Sequence, residues 1–403
     1  MSVARPLGVY VHVPYCRYVC PYCDFNVYVA KRADWAGLGR SLVRELDARL
    51  PLFAGRTLHS LYFGGGTPSL APVELLQSVM ATVRAACARG ELVDAINEVT
   101  LEVNPGSVGP EQLDAWRTVG VNRLSLGWQS TRPQVLRALG RDHGPDESRD
   151  LVRMAREAGF DNVSLDFIYA VPGQALTDLD ADLDELLAAA PEHVSLYALT
   201  YHEGTELWRR RAAGRVTPIA DELEAEMMEH IHERLEREGY ERYEVSNYAR
   251  PGRRAVHNAL YWSGGEYLGA GPGAHSFVHD DWREGWRWES VPALERYLAV
   301  WGSPLLEQAR RAAPTRLPEG HDPSVGFVEH LSARALAGER LMLAARTRDG
   351  IALTSESIAA HHATFTRALD EAVARGWATV EGGVFRPTRL GLRYADSLGA
   401  LVV

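Results

Sequence analysis

The sequence predicts an α/β protein, a partial (β/α)6 TIM-like barrel followed by a smaller C-terminal α+β domain of winged-helix-like character. Three observations carry that reading. From residue 8 to about 200, short β-rich runs alternate with longer stretches of helical periodicity, the pattern of parallel strands joined by crossover helices. Polar and glycine-rich motifs follow the ends of successive strand runs, where barrels of this kind assemble their sites. Beyond residue 200 the alternation fades, and the chain closes on short helices and a hairpin signal at Gly382-Gly383.

The strand runs are Gly8–Val13, Leu58–Phe63, Glu98–Val103, Arg123–Leu126, Val163–Tyr169 and Val194–Leu199. Helices are expected between them at Trp35–Leu50, Pro72–Ala88, Pro110–Val119, Pro133–Leu139, Asp146–Ala158 and Leu176–Ala189. A charged helix, Asp221–Glu238, then precedes an aromatic and glycine-rich region from Tyr248 to Trp288. The Pro- and Arg-rich stretch Arg310–Pro323 reads as a linker. The expected division is therefore a barrel core with an extension over 1–305, a linker over 306–323 and a C-terminal domain over 324–403.

Composition narrows the function classes. The chain has 403 residues, 46% hydrophobic and 24% charged, enough for a substantial core. A net charge of -10 argues against bulk electrostatic binding of nucleic acid, including by the winged-helix-like part. No long apolar run precedes residue 16, and no later segment offers eighteen uninterrupted apolar residues, so a cytoplasmic location is expected. A reducing compartment keeps thiols available as ligands.

Those thiols are concentrated. Cys16, Cys20 and Cys23 fall within eight residues directly after the first strand, and Cys87, the other cysteine, sits in a helical pattern as a small apolar residue. Such crowding suits soft-metal ligation better than disulfide pairing. Three thiolates cannot complete a four-thiolate site, so a tetranuclear cluster here keeps one iron open to another ligand. The alternative is a zinc knuckle completed by His12 or a distant histidine, although structural zinc usually takes two separated ligand pairs. Further unusual residues follow later strands: Gly64-Gly65-Gly66-Thr67-Pro68, Glu102 with Asn104, Gln129, Arg141 with His143, and Asp166. Singly each is an ordinary polar residue or tight turn. Their shared rim makes them a site.

Cys-x3-Cys-x2-Cys at the end of a first barrel strand resembles the cluster loop of the radical S-adenosylmethionine (SAM) enzymes. The resemblance implies a 4Fe–4S cluster on Cys16, Cys20 and Cys23, with SAM on the open iron and reductive cleavage of its sulfonium to a 5′-deoxyadenosyl radical. Matched position by position, it implies SAM contacts at Tyr10, Gly66, Thr67, Glu102, Gln129, Arg141 and Asp166, with Tyr22 backing the adenine. Arginine suits the SAM carboxylate through bidentate pairing, and carboxylates and amides suit a ribose.

Tyr10-Val11-His12-Val13-Pro14-Tyr15-Cys16, Phe63-Gly64-Gly65-Gly66-Thr67-Pro68-Ser69, Gly120-Val121-Asn122-Arg123-Leu124-Ser125 and Val171-Pro172-Gly173-Gln174 are similar to the branch holding the oxygen-independent coproporphyrinogen III oxidases, the HemN type. Those oxidases carry a further Cys two positions after the third ligand, where this chain has Phe25. That difference resembles instead the HemW group of heme chaperones. His257-Asn258-Ala259-Leu260-Tyr261-Trp262 resembles that group's His-Asn-x-x-Tyr-Trp motif, which implies heme contact by His257, Asn258, Tyr261 and Trp262. Imidazole is a usual heme-iron ligand and aromatics pack on porphyrin faces. His275 is a rival for the iron. Trp128 stands where the family has a smaller residue, which would reshape the pocket beside SAM. The resemblance implies heme transfer to acceptors such as respiratory enzymes and an electron donor for the cluster. It leaves room for a dimer, for transient membrane association, and for the other reading, a radical SAM enzyme acting on a porphyrinogen.

Overall fold

Six parallel strands stand side by side in chain order: β1 (Pro6–Val13), β2 (Thr57–Gly65), β3 (Val93–Val103), β4 (Arg123–Gln129), β5 (Val163–Tyr169) and β6 (His193–Ala198). This is a computed structural model describing residues 5–106, 108–303, 317–319 and 322–402. The crossovers are α1 (Trp35–Arg49), α2 (Val73–Ala88), α3 (Pro110–Val119), the pair α4 (Pro133–Ala138) and α5 (Pro145–Glu157), and α6 (Leu176–Ala188). Period-two side-chain alternation explains the wall. Leu7, Val9, Val11 and Val13 of β1 are fully buried in the core, while Tyr10 and His12 between them project to the opposite face. Each such buried aliphatic side chain stabilises by about 1.5–3 kcal/mol. Helix ends follow local chemistry: Asp34 Oδ1 accepts from the Gly37 N–H at 2.7 Å to start α1, and Gly120 closes α3 at φ 111°.

The sheet continues past both edges of these six strands. Beyond β6, the short β7 (Glu241–Arg242) and β8 (Asn247–Ala249) pair antiparallel. Beyond β1, β9 (Glu266–Ala270) adds in parallel, and β10 (His275–Asp280), β11 (Glu284–Ser290) and β12 (Val325–Ser332) follow antiparallel, giving a 12-stranded sheet. The aromatic and glycine-rich region thus folds largely as strands, which its interrupted periodicity conceals. A fully buried pair, Glu45 and Arg49 at 3.1 Å, ties this extension to α1: Glu45 Oε2 also accepts from the Gly271 N–H at 2.8 Å and from the Tyr297 hydroxyl at 2.7 Å.

After the barrel come α7 (Glu206–Ala212), α8 (Asp221–Arg237), α9 (Val256–Trp262) and α10 (Leu294–Gly302). The expected linker over 306–323 lies largely outside the described residues. The strand that follows, Val325–Ser332, bonds to the large sheet, so the chain beyond the expected linker contributes to both bodies. From Ala333 onward helices surround a small three-stranded sheet with its own core, including Leu341, Ile358, Phe365, Phe385 and Leu398. Gly382 and Gly383, both at positive φ, form the expected hairpin turn. This body meets the barrel through Arg389, paired with Glu229 and Glu233 of α8, and through the Arg348 N–H donating to the Tyr243 carbonyl at 3.0 Å. Among the described residues no helix is long and apolar enough to cross a membrane.

Candidate functional site

A cavity of about 770 Å³ opens where the six parallel strands end. Its first wall is the cysteine loop, which is pinned at several points. The Gly66 N–H donates to the Val13 carbonyl at 2.8 Å and the Thr67 N–H to the Tyr15 carbonyl at 2.9 Å, joining the loops after β1 and β2. A Cβ on Gly66 would stand 2.8–2.9 Å from backbone atoms of Val13, Pro14 and Tyr15, so the approach requires glycine. The Leu207 N–H of α7 donates to the Pro21 carbonyl at 2.8 Å. Asn26 donates to the carbonyls of Pro272 and Pro292 at 3.0 and 2.8 Å, anchoring the end of the loop beside Phe25.

Cys16, Cys20 and Cys23 are free thiols, half-buried and lining this one cavity. Thr67 Oγ1 donates to Cys16 Sγ and Arg141 Nη1 to Cys20 Sγ, both at 3.5 Å. Burial raises the Cys16 thiol above its ordinary range and pushes Cys23 up to about 11. Deprotonation therefore needs a positive partner, which bound iron supplies. Among the described residues no group of three or more His, Cys, Asp or Glu side chains is placed to hold a single metal ion. A cluster distributes its thiolates over separate irons, so three cysteines along one wall fit it. His12 is not free to complete a zinc site: its Nε2–H donates to the Asn26 carbonyl at 2.8 Å and its Nδ1 accepts from the Tyr10 hydroxyl at 3.1 Å.

The other walls come from later strand ends. Glu102 on β3 accepts from the Tyr62 hydroxyl at 2.8 Å and the Gly65 N–H at 3.1 Å. Burial pushes its carboxyl up to about 7, against the Tyr62 hydrogen bond and with help from the Asp166 charge. Asp166 on β5, also raised by burial, accepts from Ser125 Oγ at 2.8 Å. Asn104 joins two walls, donating to Thr67 Oγ1 at 3.0 Å and accepting from Arg141 Nη2 at 2.6 Å. Arg141 Nε is buried with no hydrogen-bond partner among the described residues, a donor suited to an anionic ligand. Gln129 ends β4 at φ 69°, a left-handed conformation costing on the order of 1–3 kcal/mol that recurs at binding sites. Tyr22 lines the cavity and packs against the apolar group containing Val135, Leu139 and Ile168.

Of the eight residues expected around SAM, seven line this cavity. Tyr10 does not. It lies beneath, stacked on Tyr62 with ring centres 6.0 Å apart. Trp128 also points elsewhere, buried against Phe167 at 5.6 Å, because it alternates on β4 with Ser125, Gly127 and Gln129, which line the cavity. Sequence reasoning passed over Tyr62, Arg123 and Ser125, whose signal was their alternation on strands already recognised, and Leu392–Ser397, which line the cavity from the far end of the chain.

The His257 segment forms α9, and the helix divides it. Glu98 receives the N–H groups of Val256 and His257 at 2.8 and 2.9 Å, a carboxylate on the helix N-terminus. His257 and Tyr261, one turn apart, both face inward. The His257 ring is 1% exposed, stacks on Tyr62 at 5.1 Å, and is hydrogen-bonded at Nδ1 to Ser60 Oγ (2.9 Å) and at Nε2 to the Tyr261 hydroxyl (3.1 Å). Burial, reinforced by the Arg123 charge, pushes its pKa down to about 3, so the ring is neutral. Neither nitrogen is free in this arrangement. Asn258 lines the first cavity and also an adjoining one of about 400 Å³, which Tyr261, Trp262, Glu244 and Arg346 help to enclose. His275 is exposed, 3.9 Å from Glu289, and lines neither cavity.

Comparison with known proteins agrees with this geometry. Residues 10–186 match the Radical SAM superfamily. The heme chaperone HemW of Mycobacterium tuberculosis is 38% identical over 353 residues, spanning 87% of this chain and 84% of that one. Heme chaperone HemW of Escherichia coli is 36% identical over 274 residues, 68% of this chain and 70% of the relative. Among solved structures, coproporphyrinogen III oxidase (HemN) of Escherichia coli superposes with a TM-score of 0.78 at 20% identity, covering 99% of this chain and 90% of that one, a likeness of fold. The chain belongs to the HemW family of the radical SAM superfamily.

Proposed function

We propose that this protein binds a 4Fe–4S cluster, SAM and heme, and delivers heme to acceptor proteins such as respiratory enzymes. The observation that carries the reading is a complete cluster-type rim combined with Phe25 at the position where the oxidase pattern has a further cysteine; Phe25 is 63% exposed on the cavity wall and offers neither a proton nor a thiolate. Cys16, Cys20 and Cys23 hold the cluster, which when charged by an electron donor supplies the electron for reductive chemistry on SAM. Arg141 pairs with the SAM carboxylate, Glu102 and Asp166 take ribose hydroxyls or the amino group, Gln129 adds an amide, Gly66 and Thr67 shape the floor, and Tyr22 backs the adenine. Tyr10 supports Tyr62 from below. For heme, Asn258 and Trp262 supply the contact surface of α9, while His257 and Tyr261 hold the helix; His257 reaches an iron only by giving up Ser60 at Nδ1 or Tyr261 at Nε2.

Anaerobically reconstituted protein titrated with heme tests this: a saturable Soret band that moves to an added apo-cytochrome is expected, and heme that binds without saturation sinks the reading. The intact rim favours a second reading, a radical SAM enzyme acting on a porphyrinogen. Release of 5′-deoxyadenosine by wild type but not by Cys20→Ala, accompanied by porphyrinogen consumption, would establish it; no release with or without heme would dismiss it.

A further inference from the structure

The C-terminal body contributes to the cavity as well as flanking it. Leu392–Ser397 form part of its lining, where the helices Arg389–Arg393 and Ala395–Val402 meet at Tyr394, and Arg393, the last residue of the first of them, is exposed. The other arginines of the region have assigned partners. Arg17 pairs with Asp142 at 3.7 Å, Arg123 with Glu98 at 3.9 Å, Arg346 with Asp396 at 2.9 Å, and Arg141 holds Asn104 at 2.6 Å. Arg393 makes no ion pair or hydrogen bond among the described residues; its guanidinium lies only over the ring of Tyr394, 5.8 Å from the centroid. An arginine held on an aromatic face with its donor fork unused is prepared for a carboxylate or phosphate. Its surroundings select between them. Val19, Phe25, Tyr394 and Met228 give the same cavity apolar walls, and Asp24 adds negative charge that opposes a polyanion. The match is a flat apolar body carrying isolated carboxylates.

We propose that Arg393 binds a propionate carboxylate of the tetrapyrrole, so that the C-terminal body is part of the heme site. This rests on the heme-binding reading above and adds to it a residue outside the His257 motif. Because Arg393 sits on one body and Asn258 and Trp262 on the other, heme bound in this way bridges the two.

The test uses the full-length, anaerobically reconstituted protein, titrated with heme and with heme dimethyl ester, whose propionates carry no charge. Wild type should bind heme more tightly than the ester. Arg393→Ala should lose about tenfold in heme affinity, the scale of one charged hydrogen-bonded contact, with ester affinity, SAM affinity and iron content unchanged. Arg393→Lys should recover part of the loss. Arg389→Ala, which alters a neighbouring arginine paired with α8, should leave both affinities unchanged. Equal losses for heme and ester, no loss for either, or a loss confined to SAM would each overturn the assignment. If wild type binds neither heme nor its ester, the heme-binding reading itself fails, an outcome distinct from all of these.

Discussion

The cysteine loop and helix α9 both resemble ligand sets in the sequence, and the fold treats them in opposite ways. The three thiols line an open cavity, and the contacts of Thr67 with Cys16 and of Arg141 with Cys20 are long, at 3.5 Å. The imidazole of His257 is enclosed with both nitrogens hydrogen-bonded, at 2.9 and 3.1 Å. A donor atom whose capacity is already used inside a core is a structural group first. Of the motif residues that face the cavities, Asn258 and Trp262 have no metal-binding chemistry of their own, and the Tyr261 hydroxyl is engaged with His257 Nε2 at 3.1 Å.

That contrast can be broken by mutation. The largest effect belongs to the loop: Cys20→Ala should take iron from about four per chain to near zero after anaerobic reconstitution, and retained iron would show that the loop is not the cluster site. His257→Ala should instead cost stability, about 2–4 kcal/mol for a cavity plus unpaired Ser60 and Tyr261 hydroxyls, read from the urea midpoint, with the Soret position of bound heme unchanged. A lost Soret shift with unaltered stability would make His257 the iron ligand after all.

Glu102 probes the wall between the two regions. Its carboxyl is raised from 4.5 to about 7 by burial, so the folded protein holds a proton that the unfolded chain releases. Its stabilising contribution is therefore full below pH 4.5 and is lost as pH rises towards about 7. Glu102→Gln should remove that slope, a difference of at most about 3 kcal/mol across the window, measured by denaturation at several pH values; parallel curves for the two proteins would contradict it. The smallest effect is expected for Arg389→Ala, whose partly exposed pairs with Glu229 and Glu233 contribute about 0.2–1 kcal/mol, visible as a slight fall in the melting temperature of the C-terminal body at low salt.

The barrel was legible because its periodicities are clean. Val163–Tyr169 and Pro110–Val119 form with the expected bounds, and the glycine loop after β2 lies where a tight approach to the cysteine loop demands it. The edges were not legible. Strands such as Glu284–Ser290 gain their identity from partners far along the chain, Val325–Ser332 among them, and their spacing alone resembles loop. Within the site, Arg141 and Asp166 were recognised from their place on the strand-end rim and took their SAM roles from resemblance, but Leu392–Ser397 reach the cavity only through the packing of a second body. The signal for His257 was present and passed over: His257 and Tyr261 are four apart, the spacing that puts both on one helix face and turns Asn258 and Trp262 away from it.

The most direct measurement presents one anaerobically reconstituted preparation with heme and, separately, with coproporphyrinogen III, SAM and reductant. The account predicts saturable heme uptake with a Soret band and no protoporphyrinogen IX. Sustained conversion of the porphyrinogen, with no saturable heme binding, would contradict it.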